Sequence, residues 1–282
     1  MFILAISFGV IFGLSKAQID YATSAKSNSY ISFLISLVIS IFNVIIQQLL
    51  RRLTLMERNY TTTMQQASLG IKAVLALLIN SILIPILVNY YFKGGNLYGI
   101  NGLAYDVFLL SVTNSYLSPL IKIFDLYYFF TRVMRWVYGT ATKKLWIDQK
   151  ELNQYYEYIE FEVGYEYIYM VNLFLFTCFF LPLQPIIAVF AISGLVLMFW
   201  AQKYSLYNRC RRPVPGNKAI NTTMYTLIYL GPAFFGIGSF CWSHFFEHEF
   251  IGIAPNLTTC IIAFIIFILP YRALVNLFFD DD

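Results

Sequence analysis

Long apolar runs recur along the chain at the length of a membrane crossing. A bilayer core about 30 Å thick needs about 20 apolar helical residues per crossing. Runs of this kind occupy 31–50, 71–92, 103–131, 167–182, 185–201, 223–246 and 255–279, with a shorter one at 2–14. They are apolar all round and lack the strict alternation of a transmembrane β-strand. The pattern predicts an all-α, polytopic membrane bundle of about eight transmembrane helices, read as a single transmembrane domain over 1–282. Leu181-Pro182-Leu183-Gln184-Pro185 separates two of the runs. Proline lacks the amide donor and clashes with the preceding turn, so a tight hairpin is expected there. Ser118-Pro119 is expected to kink the helix over 103–131. Pro119, Pro182 and Pro185 are therefore the candidate gating hinges. The run at 2–14 has the length of a signal-peptide apolar region, but no basic residues lead into it.

Composition closes off the soluble alternatives. Apolar residues make up 59% and charged residues 12% of the 282 positions, against roughly 25% charged in an average soluble domain. The mean hydropathy is +0.65. Disordered chains are poor in apolar and aromatic residues, so disorder is excluded too. The four cysteines (178, 210, 241 and 260) show neither close pairing nor metal-type spacing.

The placement of charge orients the helices. Arg51, Arg52, Arg58 and Lys72 follow the second run, and Arg132, Arg135, Lys143, Lys144 and Lys150 follow the fourth. Lys203, Arg209, Arg211, Arg212 and Lys218 follow the sixth, and Arg272 lies near the C-terminus. All fall on one side of an eight-span arrangement, and only Lys16, Lys26 and Lys93 fall on the other. The positive-inside rule makes the richer side cytosolic, with both termini there. The sequons at Asn59 and Asn221 then face the cytosol, and neither they nor Asn256 at the membrane edge are expected to carry a glycan.

Enzyme constellations are scarce, and no enzymatic activity is expected. His244-Phe245-Phe246-Glu247-His248 matches a short zinc-protease string. These are the only two histidines, and the segment reads better as a polar outer cap. No metal or other cofactor is expected. Polar groups inside the runs say more, because an ionisable side chain in hydrocarbon is costly and by default marks function. Asn43, Gln47, Asn80, Asn114, Lys122, Asp125 and Asn172 lie in four consecutive runs between 31 and 182. Lys122 and Asp125 are three apart and are expected to pair on one helix face. The bland account of such groups is hydrogen bonding between helices; the functional one is a hydrated pathway that they line. The connector 132–166 is basic first, then acidic and rich in tyrosine, and is expected to form an amphipathic helix on the inner leaflet. Arg209-Cys210-Arg211-Arg212-Pro213 reads as a topology anchor and anionic-lipid contact, not as a nucleic-acid site.

Two stretches carry a family resemblance. Asn43–Leu87 holds Leu53-Thr54 with Glu57, then Lys72 and Ile79-Asn80, and FEVGYEYIYMVNLFLFTCFF at 161–180 leads through the Pro hairpin to KYSLYNRCRRP at 203–213. This resembles the seven-helix region shared by OSCA-type osmosensitive channels, their animal TMEM relatives, anoctamins and transmembrane channel-like proteins. Gln202 and Ser205 depart from the Asp and Asn of the OSCA-type pattern. The resemblance implies a mechanically or osmotically gated, calcium-permeable cation channel or channel subunit. Its pore would be lined by the seven polar residues named above. Phospholipid scrambling, known in the same superfamily, and a non-conducting structural subunit are the alternatives. The family's additional N-terminal helices and cytosolic domain have no counterpart in 1–282. Anoctamins hold calcium with acids on both arms of the hairpin; the second arm here, 185–201, has none. Expected partners are membrane lipids, permeant cations and either a second copy of the chain or a larger membrane complex. The expected location is the plasma membrane or an endomembrane.

Overall fold

The structure is a computed structural model that describes residues 29–57, 60–92, 102–140, 149–161, 163–211, 218–246 and 250–268, together with 9, 12, 13 and 98. The helices are α1 (Ser29–Met56), α2 (Thr62–Leu78), a π-helical segment (Ile79–Leu83) running into α3 (Ile84–Phe92), α4 (Leu103–Phe124) and α5 (Leu126–Thr140). They continue with α6 (Gln149–Tyr156), α7 (Val163–Phe180), α8 (Ile187–Asn208), α9 (Lys218–Ile228), α10 (Gly231–Phe246) and α11 (Phe250–Ile268). Two short strands, β1 (Ile159–Glu160) and β2 (Cys210–Arg211), pair in parallel and tie the connector to the end of α8.

Among the described residues six segments are long and apolar enough to cross a membrane: Ser36–Met56, Thr62–Tyr91, Leu103–Val137, Val163–Phe180, Ile187–Asn208 and Ile220–Trp242. The chain is an all-α polytopic membrane bundle, as the apolar runs predict. The run at 2–14 lies outside the described residues but for three positions, and that at 255–279 is described only to Ile268 within α11. The run at 223–246 lies largely within one such segment, Ile220–Trp242, but its helix is interrupted at Tyr229-Leu230 before Gly231-Pro232 starts α10. Proline suits a first helical turn, where its missing amide would be unpaired in any case.

The hairpin after α7 forms where the prolines predict it. The amides of Leu183 and Gln184 both bond the carbonyl of Phe180, and Ala188 N–H then reaches the carbonyl of Pro185 to open α8. At Ser118-Pro119, where a kink is expected, the proline stands inside a continuing helix. Helix α4 runs through Pro119 and stops at Phe124, and the break falls at Asp125, which has φ 36°. Left-handed backbone is costly for a residue with a Cβ. Asp tolerates it here because its Oδ1 accepts from Tyr128 N–H at 3.2 Å and so caps α5. Pro85 lies just past the π segment, where a widened turn accommodates the amide that proline lacks.

Helix α7 sits at the centre, with 67% of its span buried against 28% for α1 and α8. It packs on α2, α9 and α10, while α4 packs on α1 and α8. Phe176, Phe180, Val74 and Ile168 are fully enclosed in this core. Phe180 stacks on Trp242 and Phe179 meets it edge-on, and the indole N–H donates to the carbonyl of Phe179. The α4–α8 seam is tight because Gly194 lies against Ser115: a Cβ there would stand 2.6 Å from the Ser115 carbonyl oxygen. Connector 132–166 is not one amphipathic helix. Helix α5 continues to Thr140, α6 follows from Gln149, and β1 leads into α7.

Candidate functional vestibule

A cavity of about 1120 Å³ opens between α1, α4, α5, α7 and α8, on the side that the charge distribution predicts to be cytosolic. Its wall carries the cationic Arg51, Lys122, Arg135, Arg209 and Arg211 and the anionic Asp125, Glu157 and Glu166. Gln47, Gln48, Tyr128, Tyr156, Tyr165 and Tyr169 add polar tips on aromatic and amide side chains.

Three of the seven sequence candidates, Gln47, Lys122 and Asp125, line this space. The expected Lys122–Asp125 pair does not form. Asp125 lies beyond the end of α4 and its carboxylate caps α5, while Lys122 Nζ bonds Glu166 Oε1 across the cavity. Glu166 Oε2 accepts from Gln202 Nε2 at 3.0 Å, so one carboxylate joins α4, α7 and α8. Lys122 also lies 5.3 Å from the centre of the Phe161 ring. Glu166 is buried, and a buried carboxylate needs its charge matched. Nothing local in the sequence pairs residues 44 apart; the only signal was that a lysine inside a span requires an acid.

Arg209 closes the floor. Its guanidinium donates to the carbonyls of Lys122 at 3.3 Å and Ile123 at 2.8 Å. It lies 4.9 Å from the rings of both Tyr128 and Tyr204. A helix end leaves its last carbonyls without amide partners, and a fork of N–H donors on a flat cation suits them.

Four candidates lie deeper, beyond the cavity wall. A polar stripe runs along one face of α1, with Ser36, Ser40, Asn43 and Gln47 all buried. Asn43 Nδ2 donates to Ser81 Oγ at 3.0 Å, and Asn80 Nδ2 donates to Asn43 Oδ1 at 2.6 Å. Ser40 Oγ stands 2.8 Å from Asn114 Oδ1 and 2.9 Å from Thr113 Oγ1. These bonds knit α1 to the π segment and to α4 in the manner of interhelical packing. Asn80 Oδ1, Asn114 Nδ2, Ser115 Oγ and Asn172 Oδ1 are nevertheless buried without a protein partner. The hinge candidates Pro182 and Pro185 lie in the hairpin at the far end of α7, away from the vestibule. Glu247 and His248 lie outside the described residues, as does the side chain of His244. Among the described residues no three His, Cys, Asp or Glu side chains gather as a metal site would require.

No individually curated protein matches the chain. The family model for anoctamins, described as calcium-activated chloride channels, matches residues 1–282. With the whole length matched, and a helical membrane bundle beneath it, the chain belongs to the anoctamin family.

Proposed function

We propose that the chain is a tension-gated ion channel subunit whose pathway enters through the vestibule and follows the polar stripe of α1. The observation that carries this reading is the continuity of polar groups from Arg51 and Gln47 on the cavity wall to Asn43 and Ser40 one and two turns deeper. Buried polar atoms without partners at that depth on α2–α3, α4 and α7 support it, since such groups call for water or an ion. Gating by tension or osmotic stress draws on the break at Asp125, because a broken and a straight α4–α5 differ in the membrane area they occupy. The wall's five cationic against three anionic side chains favour anions at the entrance. This weighs against the calcium permeability implied by the OSCA-type resemblance.

The test is patch clamp of the purified chain in liposomes under suction, with asymmetric salts to read selectivity. Stretch-activated current with chloride permeability is expected, and Lys122→Glu is expected to shift the reversal potential towards cation selectivity. A reversal potential unmoved by that change removes the vestibule from the pathway.

Lipid scrambling is the second reading. It is favoured by the apolar Ile121 and Val44, which line the cavity beside its polar groups, as a groove shared by headgroups and acyl chains would need. Movement of fluorescent phospholipid between leaflets without current would put this reading first. A chain that does neither is a structural subunit.

A further inference from the structure

The family's description implies bound calcium, and the described residues around the cavity do not fit it. Calcium takes about six to eight oxygen ligands, with several carboxylates among them. Glu166 is the one acid of α7, and α8 has no acid at all. Both oxygens of Glu166 are engaged, one by Lys122 and one by Gln202. The other acids of the wall are Asp125, which turns Oδ1 to the Tyr128 amide, and Glu157, which is exposed just past α6. A divalent ion beside Glu166 would face the ammonium of Lys122, with Arg209 bonded to the Lys122 carbonyl.

We infer that Lys122 is a built-in cation: its ammonium supplies, covalently and permanently, the positive charge that joins α4 to Glu166 and Gln202, so that this chain works without calcium. The same contact that a diffusible ion would make and break is here fixed in the chain. Control then passes to whatever moves α4 relative to α7 and α8. This rests on the channel reading only for its electrical readout; the binding readout stands apart from it.

The experiment uses the full chain in vesicles of neutral phosphatidylcholine, with calcium chelated or added in steps. Tryptophan fluorescence follows the Tm, and currents are recorded alongside. The wild type is expected to show no calcium-dependent shift of either. Lys122→Glu replaces the ammonium by a second carboxylate, and its Tm is expected to rise with calcium. Adding Glu166→Gln is expected to abolish that rise. A folded Lys122→Glu protein indifferent to calcium overturns the inference. So does a calcium-dependent Tm rise in the wild type that Glu166→Gln removes. Should Lys122→Glu fail to fold, the wild-type and Glu166→Gln titrations decide: no response in either sustains the built-in cation. A protein that passes no current but shows the expected Tm pattern keeps the inference and loses the channel reading.

Discussion

The hydroxyl of Tyr169 on α7 donates to the carbonyl of Ser115 at 2.9 Å, and Ser115 is the residue four before Pro119. Proline has no amide to offer that carbonyl. A side chain from another helix thus supplies the bond that α4 lacks, and α4 continues for five residues past its proline. Tyr169 also reaches the Asn114 carbonyl at 3.1 Å and lines the vestibule. Tyr169→Phe keeps the ring and removes the donor. It should cost about 1–3 kcal/mol, the penalty of a buried acceptor left unpaired. Thermal unfolding checks this, and a Tm equal to wild type would mean that water replaces the hydroxyl.

Glu166 tests the ion pair in isolation. Glu166→Gln strands the Lys122 ammonium in a partly buried place, and breaking a buried pair from one side costs roughly 3–5 kcal/mol. Replacing both members, Lys122→Met with Glu166→Met, should recover most of that loss. A double-mutant cycle in unfolding experiments reads the coupling, and simple additivity would show that the two charges do not depend on each other.

Asp125 serves the break in two ways, through tolerance of φ 36° and through its cap on Tyr128. Asp125→Asn keeps both and should be nearly neutral. Asp125→Ala loses the cap, about 1 kcal/mol, and adds the strain of a left-handed alanine, about 1–2 kcal/mol. The order Asn, then Gly, then Ala in falling Tm is the expected result; Ala at or above Asn would mean that the chain straightens at no cost.

Gly194 sets the distance between α4 and α8. A methyl there meets the Ser115 carbonyl oxygen at 2.6 Å and its Cβ at 2.8 Å. Backbone cannot give way as a side-chain tip does, so Gly194→Ala should destabilise by about 1–3 kcal/mol, the usual range for overpacking. Because the seam borders the vestibule, the pressure needed to open the channel should change with it. Unaltered unfolding and threshold together would contradict the close approach.

Arg209 holds both sides of the break, through the carbonyls of α4 and the ring of Tyr128 on α5. Arg209→Lys keeps the charge but loses the planar fork and the stacking, so it should behave more like Arg209→Gln than like wild type. Both variants should unfold at lower temperature by similar amounts, and full rescue by lysine would reduce the role of Arg209 to charge alone.

The membrane bundle was legible in the sequence because its causes are local. Apolar runs of bilayer length, and prolines that cannot continue a helix, act on their own neighbours. The hairpin at Pro182 and Pro185 therefore formed where it was expected. Lys122 was legible as a charge out of place, and Gln47 and Asp125 as polar groups that reach the same cavity. The split at Tyr229-Leu230 and the break at Asp125 were not, because an Asp that can take a left-handed turn takes a helical one as readily, and the packing around it decides which.

The sequence by itself determined that this chain enters a membrane as helices, where its hairpin turns and that its buried charge must be answered. Only the tertiary structure decided what answers it. Glu166 is 44 residues from Lys122, Gln202 is a further 36, and Tyr169 is 54 from the carbonyl that it satisfies. Partners at such separations are chosen by how α4, α7 and α8 pack, since a buried donor or charge takes whichever complementary group the packing brings within reach.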